Sequence, residues 1–116
     1  MKTINVSKGF FSRFKTIKSA VAYAQPGDKI VVEPGTYIEF LIINKPITLK
    51  GKDSAEKTIL DGGISVESNV QIERISIVKN QMKDNDVGLS VNAGKAIVND
   101  CEISGFDGTG ILLEGN

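Results

Sequence analysis

Apolar and polar positions alternate along most of this chain in short runs, the pattern of β-strands with one buried face. An apolar-x-apolar run followed three residues later by Gly or Asn recurs as Ile30-Val31-Val32 to Gly35, Ile64-Ser65-Val66 to Asn69, Leu89-Ser90-Val91 to Gly94 and Ile111-Leu112-Leu113 to Asn116. Gly and Asn enter the left-handed backbone region most readily, so the column predicts one sharp turn reused in every coil of a solenoid. The turns stand 34, 25 and 22 residues apart. That spacing suits three short strands per coil, with the first circuit lengthened by a loop over residues 50–57.

A second column carries the same signature: Ile43…Ile47-Thr48-Leu49, Ile72…Ile75-Ser76-Ile77 and Val98…Cys101-Glu102-Ile103. Alternation turns Ile47, Leu49, Ile75, Ile77, Cys101 and Ile103 inward and leaves Thr48, Ser76 and Glu102 to solvent. Coils stacked about 4.8 Å apart would set Cys101 over Ile75 and Ile47 as a buried, inert thiol. Pro34-Gly35 reads as a tight turn. One helix is predicted ahead of the first coil strand, with Ile17, Ala20, Val21 and Ala24 on one face, Thr16 as N-cap and Pro26-Gly27 beyond its end. Laid across the first coil, it would seal the apolar interior that a solenoid exposes at its ends.

With 116 residues, the chain makes a single domain: an amino-terminal strand and cap helix over residues 1–29 and coils over 30–116. The other end has no such seal in the sequence. Ile111 and Leu113 face inward with nothing after Asn116 to cover them, Cys101 or Ile103. Each large apolar side chain left wet forgoes about 1.5–3 kcal/mol. These five residues are the candidate interface, covered by a second copy of the chain, by another protein, or by further coils of a truncated chain.

Composition narrows the chemistry further. The chain has no histidine and one cysteine, which removes Ser-His-Asp and Cys-His nucleophile systems, His-ligated zinc and intramolecular disulfides. Basic and acidic residues cancel at 14 each, so no nucleic-acid partner is expected. They are unevenly spread: residues 1–27 hold five basic and no acidic side chains, +5 against −5 for the remainder. A basic amino-terminal face of this kind can guide a partner or simply be hydrated. The longest apolar run, residues 38–43, is interrupted by Glu39 and too short to span a bilayer. No membrane partner and no targeting segment are read, and a cytoplasmic location is the default expectation.

The stretch Phe14-Lys15-Thr16-Ile17…Ala20-Val21…Ala24…Pro26-Gly27-Asp28-Lys29-Ile30-Val31-Val32…Pro34-Gly35-Thr36-Tyr37…Glu39…Ile47-Thr48-Leu49-Lys50-Gly51…Thr58-Ile59-Leu60-Asp61-Gly62 resembles the opening of right-handed parallel β-helix proteins of the pectin lyase-like superfamily. Pectin methylesterases are most similar. The resemblance covers about half the chain in detail and implies an all-β fold, a short right-handed parallel β-helix of about three coils with an amino-terminal capping helix. It does not carry the activity with it. The esterases' Gly-Tyr-Gln-Asp-Thr segment falls on Gly105-Phe106-Asp107-Gly108-Thr109, which puts Asp107 in place of an oxyanion-stabilising Gln and Gly108 in place of a catalytic Asp. The second catalytic Asp and the arginine would lie beyond residue 116.

No catalytic, cofactor or metal residue is therefore assigned. Asp84-Asn85-Asp86-Val87-Gly88 departs from a calcium loop at Gly88 and Lys95 and reads as a polar insertion between coils; Asp61-Gly62-Gly63 reads as a corner between strands. The residues following the repeated strands, Glu33, Glu67, Asn92 and Glu114, form an outward acidic column in which neighbouring Glu33 and Glu67 would repel. It either grips a cation or a polyhydroxylated ligand such as a polysaccharide, weakly, or is a hydrated face, beside a small-residue track of Val31, Ser65, Ser90 and Leu112. Two functions remain: a non-enzymatic interaction scaffold that associates through its last coil, and the amino-terminal fragment of a polysaccharide-processing esterase or lyase.

Overall fold

The computed structural model describes residues 1–79, 87–105 and 111–113. Its strands are β1 (Thr3–Val6), β2 (Lys29–Val32), β3 (Gly35–Ile43), β4 (Thr48–Gly51), β5 (Thr58–Val66), β6 (Asn69–Glu73), β7 (Ser76–Val78), β8 (Leu89–Val91), β9 (Lys95–Asn99), β10 (Glu102–Ser104) and β11 (Ile111–Leu113). Every pairing is parallel. One sheet runs β1-β2-β4-β6-β9, and the other runs β10-β7-β5-β8-β11 with β3 on the open side of β5. Among the described residues the chain is an all-β parallel solenoid of about four turns with one short α-helix, one turn more than the repeat suggests.

Register comes from stacking like on like. In the first sheet Ile4, Ile30, Leu49, Ile72 and Val98 form one inward column, with steps of 26, 19, 23 and 26 residues. In the second, Leu41, Ile64 and Leu89 form another, and Ile111 follows them in backbone register. The expected first column is thus corrected in one member: Ile30 belongs to the first sheet, and the strand that stacks on Ile64-Ser65-Val66 is Leu41-Ile42-Ile43. Pro46 stands where the Gly-or-Asn pattern looks for its turn residue, which hid that copy. The second column needs the same repair. Glu102 does pair with Ser76, but Thr48 and Leu49 lie against Gln71 and Ile72, so Ile47 is not stacked with Ile75 and Cys101 as expected.

Strand division and corners differ as well. The later coils have three strands each, whereas in two earlier ones the second and third merge into the nine-residue β3 and β5. Asp61-Gly62-Gly63 is therefore mid-strand, not a corner, and Pro34-Gly35 bends directly into β3. Of the predicted turn column, Gly94 takes a left-handed φ of 74° while Asn69 does not; the recurring left-handed corner falls on Arg74 (52°) and Asp100 (53°), which follow the paired Glu73 and Asn99. Ser76, expected to face solvent, is 5% exposed. The 3-10 turn Ala55–Lys57 folds over it, and its hydroxyl donates to the Ala55 carbonyl at 2.9 Å.

Helix α1 (Ile17–Tyr23) closes the first coil as expected, burying Ile17, Ala20 and Val21, with the Thr16 hydroxyl accepting from Ser19 N–H. Contacts distant in sequence hold both of its ends. Glu39 accepts from Ile17 N–H at 2.9 Å and Lys18 N–H at 2.8 Å. At the other end Lys45 donates to the carbonyls of Val21, Ala22 and Ala24 at 2.8–3.0 Å. An anion at the N-terminus and a cation at the C-terminus both complement the helix dipole.

Asp28 ties the entry of the chain to the helix exit. Its carboxylate accepts from Lys2 Nζ at 2.6 Å, Lys2 N–H at 2.9 Å and Gln25 N–H at 2.8 Å. The Lys2 ammonium first, then the two amides, hold its carboxyl well below the usual carboxylate range. A folded value under the unfolded one of about 3.9 means the stabilisation is complete above that pH and lost as pH falls through the folded value. Urea melts taken downward from about pH 4 should therefore show a falling midpoint, and Asp28→Asn should flatten that acid limb. An unchanged slope in the variant would exclude Asp28 as its source.

Candidate functional site

The predicted acidic column divides between two faces. Glu33 follows β2, and its carboxylate pairs with Lys52 on the next coil, whose ammonium lies 3.3 Å away; its N–H donates to the Val6 carbonyl. Glu67 and Asn92 follow β5 and β8, donating through their N–H groups to Ile43 and Val66 carbonyls, and so do stand on neighbouring coils. The expected repulsion between Glu33 and Glu67 is overturned, because register sets them in different sheets. Glu114 lies outside the described residues. What remains is a small polar group: Asn92 Nδ2 donates to Ser65 Oγ at 2.8 Å, and Ser65 Oγ donates to Glu67 at 3.4 Å. Of the small-residue track, Ser65, Ser90 and Leu112 are in register under Ile42, while Val31 lies between Asn5 and Lys50.

Other polar residues singled out in the sequence have structural work. Tyr37 is 1% exposed, and its hydroxyl donates to the Glu33 carbonyl at 2.9 Å. Burial, with the Glu33 and Glu39 charges behind it, pushes that phenol up. Glu39 caps the helix, and Asp61 is buried at 1% exposure within β5. Among the described residues no group of three or more Cys, Asp or Glu side chains is placed to hold a metal ion. Asp84-Asn85-Asp86 and Phe106-Asp107-Gly108-Thr109 lie outside the described residues.

The candidate interface is the last coil. Cys101 is half-buried and not buried as expected; its thiol faces the Asn99 carbonyl at 3.3 Å, and desolvation pushes its pKa up, which keeps it protonated and poorly nucleophilic. Ile103 is partly buried against the core and stacks on Ile77. Ile111 and Leu113 pair through β11 with Leu89 and Val91, and Asn116 lies outside the described residues. Burial falls abruptly at this coil: Leu49 and Ile72 are fully buried, whereas Val98 in the same inward column is 38% exposed. β9, β10 and β11 each have one strand partner among the described residues.

Two features were not anticipated from the sequence. A cleft of about 350 Å³ opens between α1 and β3, lined by Val21, Ala22, Phe40, Ile42 and Lys45 among others. Phe10 and Phe11 stand 82% and 94% exposed on the loop after β1. Three aromatics within five residues could have flagged that loop, but only Phe14 of them turns inward, and alternation cannot tell which.

These coils form a right-handed parallel β-helix, the fold that the opening motif implied. Three solved structures share it at 20–21% sequence identity: pectin methylesterase PemA from Erwinia chrysanthemi (TM-score 0.81), a pectin methylesterase in complex with hexasaccharide VII (0.79) and a mutant pectin methylesterase in complex with hexasaccharide IV (0.78). They match 94–97% of this chain, which spans only 44–45% of theirs. No protein-family model and no curated protein matches the chain.

Proposed function

We propose that this chain is a non-catalytic β-helix scaffold whose last coil docks further parallel β-coils, supplied by a second copy of the chain or by another protein. The observation that carries this reading is the contrast between its ends. The first coil is closed by a helix fastened at both termini, while among the described residues the last coil leaves the inward Val98 wet and its three strands with one partner each, the arrangement that recruits another strand. The roles of Glu33, Glu39 and Asp28 in pairing and capping also support a scaffold. Sedimentation velocity over a range of concentrations tests it: the protein should self-associate or pull down a β-rich partner, and Val98→Lys should disperse the assembly. A monomer at every concentration that takes up no partner overturns it.

The likeness to pectin methylesterases over nearly all of this chain favours a second reading, in which the same coils open a polysaccharide esterase and the docked coils complete its cleft. Release of methanol from methylesterified pectin by the protein joined to such coils, and not by residues 1–116 alone, would favour it. No release in either form would leave the scaffold reading.

A further inference from the structure

The loop between β1 and α1 meets the stack through Phe14, and it carries two of the three most exposed large apolar side chains described, the other being Met1. Phe11 is 94% and Phe10 82% exposed, their rings edge to face with centroids 5.0 Å apart. The loop that bears them is braced: Ser12 N–H donates to the Gly9 carbonyl at 3.1 Å, Gly9 N–H to Ser7 Oγ at 3.0 Å, and Ser7 N–H to the Phe14 carbonyl at 3.0 Å. Cations surround it. Lys15 Nζ lies 5.9 Å from the Phe10 ring, Lys8 Nζ sits 5.0 Å over Tyr37, and the Arg13 guanidinium stacks on Phe14 and Tyr23 at 5.0 and 4.5 Å. Glu33, which shares a hollow with Phe10 and Phe11, is engaged by Lys52, and on adjoining elements Glu39 is engaged by the helix and Asp28 by Lys2.

We propose that this loop docks the protein onto an anionic lipid surface, Phe10 and Phe11 entering the headgroup boundary and Lys8, Arg13 and Lys15 engaging lipid phosphates. Charge complementarity and ring geometry select this occupant. An edge-to-face pair projecting from a loop presents no flat platform for a pyranose ring. A projecting apolar tip with cations behind it matches a deformable apolar phase under an anionic layer. Surface docking of this kind needs no span, so the shortness of the apolar runs does not oppose it.

Co-sedimentation of the 116-residue protein with vesicles tests the proposal. Binding is expected to vesicles of mixed phosphatidylcholine and phosphatidylglycerol, to be much weaker on phosphatidylcholine alone, and to weaken with salt. The double variant Phe10→Ser/Phe11→Ser should lose on the order of a hundredfold in affinity, and Lys8→Gln or Lys15→Gln about fivefold each. Both phenylalanines lie outside the core, so an unchanged circular dichroism melt shows that the variant still folds. Failure of the wild type to bind the mixed vesicles, or equal binding by the double variant, overturns the proposal. Binding to polygalacturonate in place of vesicles overturns it in favour of an acidic carbohydrate.

Discussion

Gly62→Ala is expected to abolish cooperative folding. Gly62 sits in the middle of β5 with φ 156°, and a β-carbon there would stand 1.9 Å from the Glu39 carbonyl oxygen and 2.7 Å from its carbon. The obstacle is backbone of the paired strand β3, which Glu39 also ties to the helix N-terminus. Ordinary overpacking costs about 1–3 kcal/mol because side chains give way; here the strand itself would have to separate. We expect a loss above about 5 kcal/mol, comparable to the net stability of a small domain. Gly27→Ala is the control. Its φ of 90° is also unfavourable, but nothing lies within 4 Å, so it should cost about 1–2 kcal/mol. Thermal melts followed by circular dichroism decide between them. A Gly62→Ala protein that melts near the wild type would show that β3 and β5 do not approach as described.

Leu49→Ala should cost about 2–5 kcal/mol, and Ile103→Ala less than about 1 kcal/mol. Leu49 is fully buried between Ile30 and Ile72, so truncation opens a cavity that coils on both sides cannot fill. Ile103 stacks on Ile77, its one strand neighbour among the described residues, and is only partly buried. Urea melts give both values. The difference should shrink on addition of whatever docks at the last coil, because Ile103 then becomes an interior residue. Equal costs in the free protein would mean that the last coil is packed as tightly as the third, removing the basis for docking.

Legibility followed the length of chain over which each interaction acts. The helix, its Thr16 cap and its apolar face were readable because period and capping are properties of neighbouring residues. So were strand character and the stacking of Ile64, Leu89 and Ile111, where the coils are of similar length. The pattern failed at Ile30, which satisfies the strand-plus-glycine template while belonging to the other sheet, and at Leu41-Ile42-Ile43, which pairs correctly without the template's turn residue. A shift of sheet leaves local alternation intact, so nothing in the neighbourhood of Ile30 reports it. The acidic column inherited that error, which is why Glu33 faces Lys52 and not Glu67.

The linear order of residues was enough to settle the kind of fold, the sealed beginning and the exclusion of histidine- and disulfide-based chemistry, since each depends on composition or on spacings shorter than one coil. Pairing across coils was settled only in three dimensions. Glu39 and Lys45 reach the helix over more than twenty residues, Ser76 is covered by a turn from the preceding coil, and Phe10 and Phe11 project where Phe14 turns in. Each of these depends on which coil lies next to which, and coil lengths of 19 to 26 residues leave that unspecified until the stacked side chains choose the register that buries them.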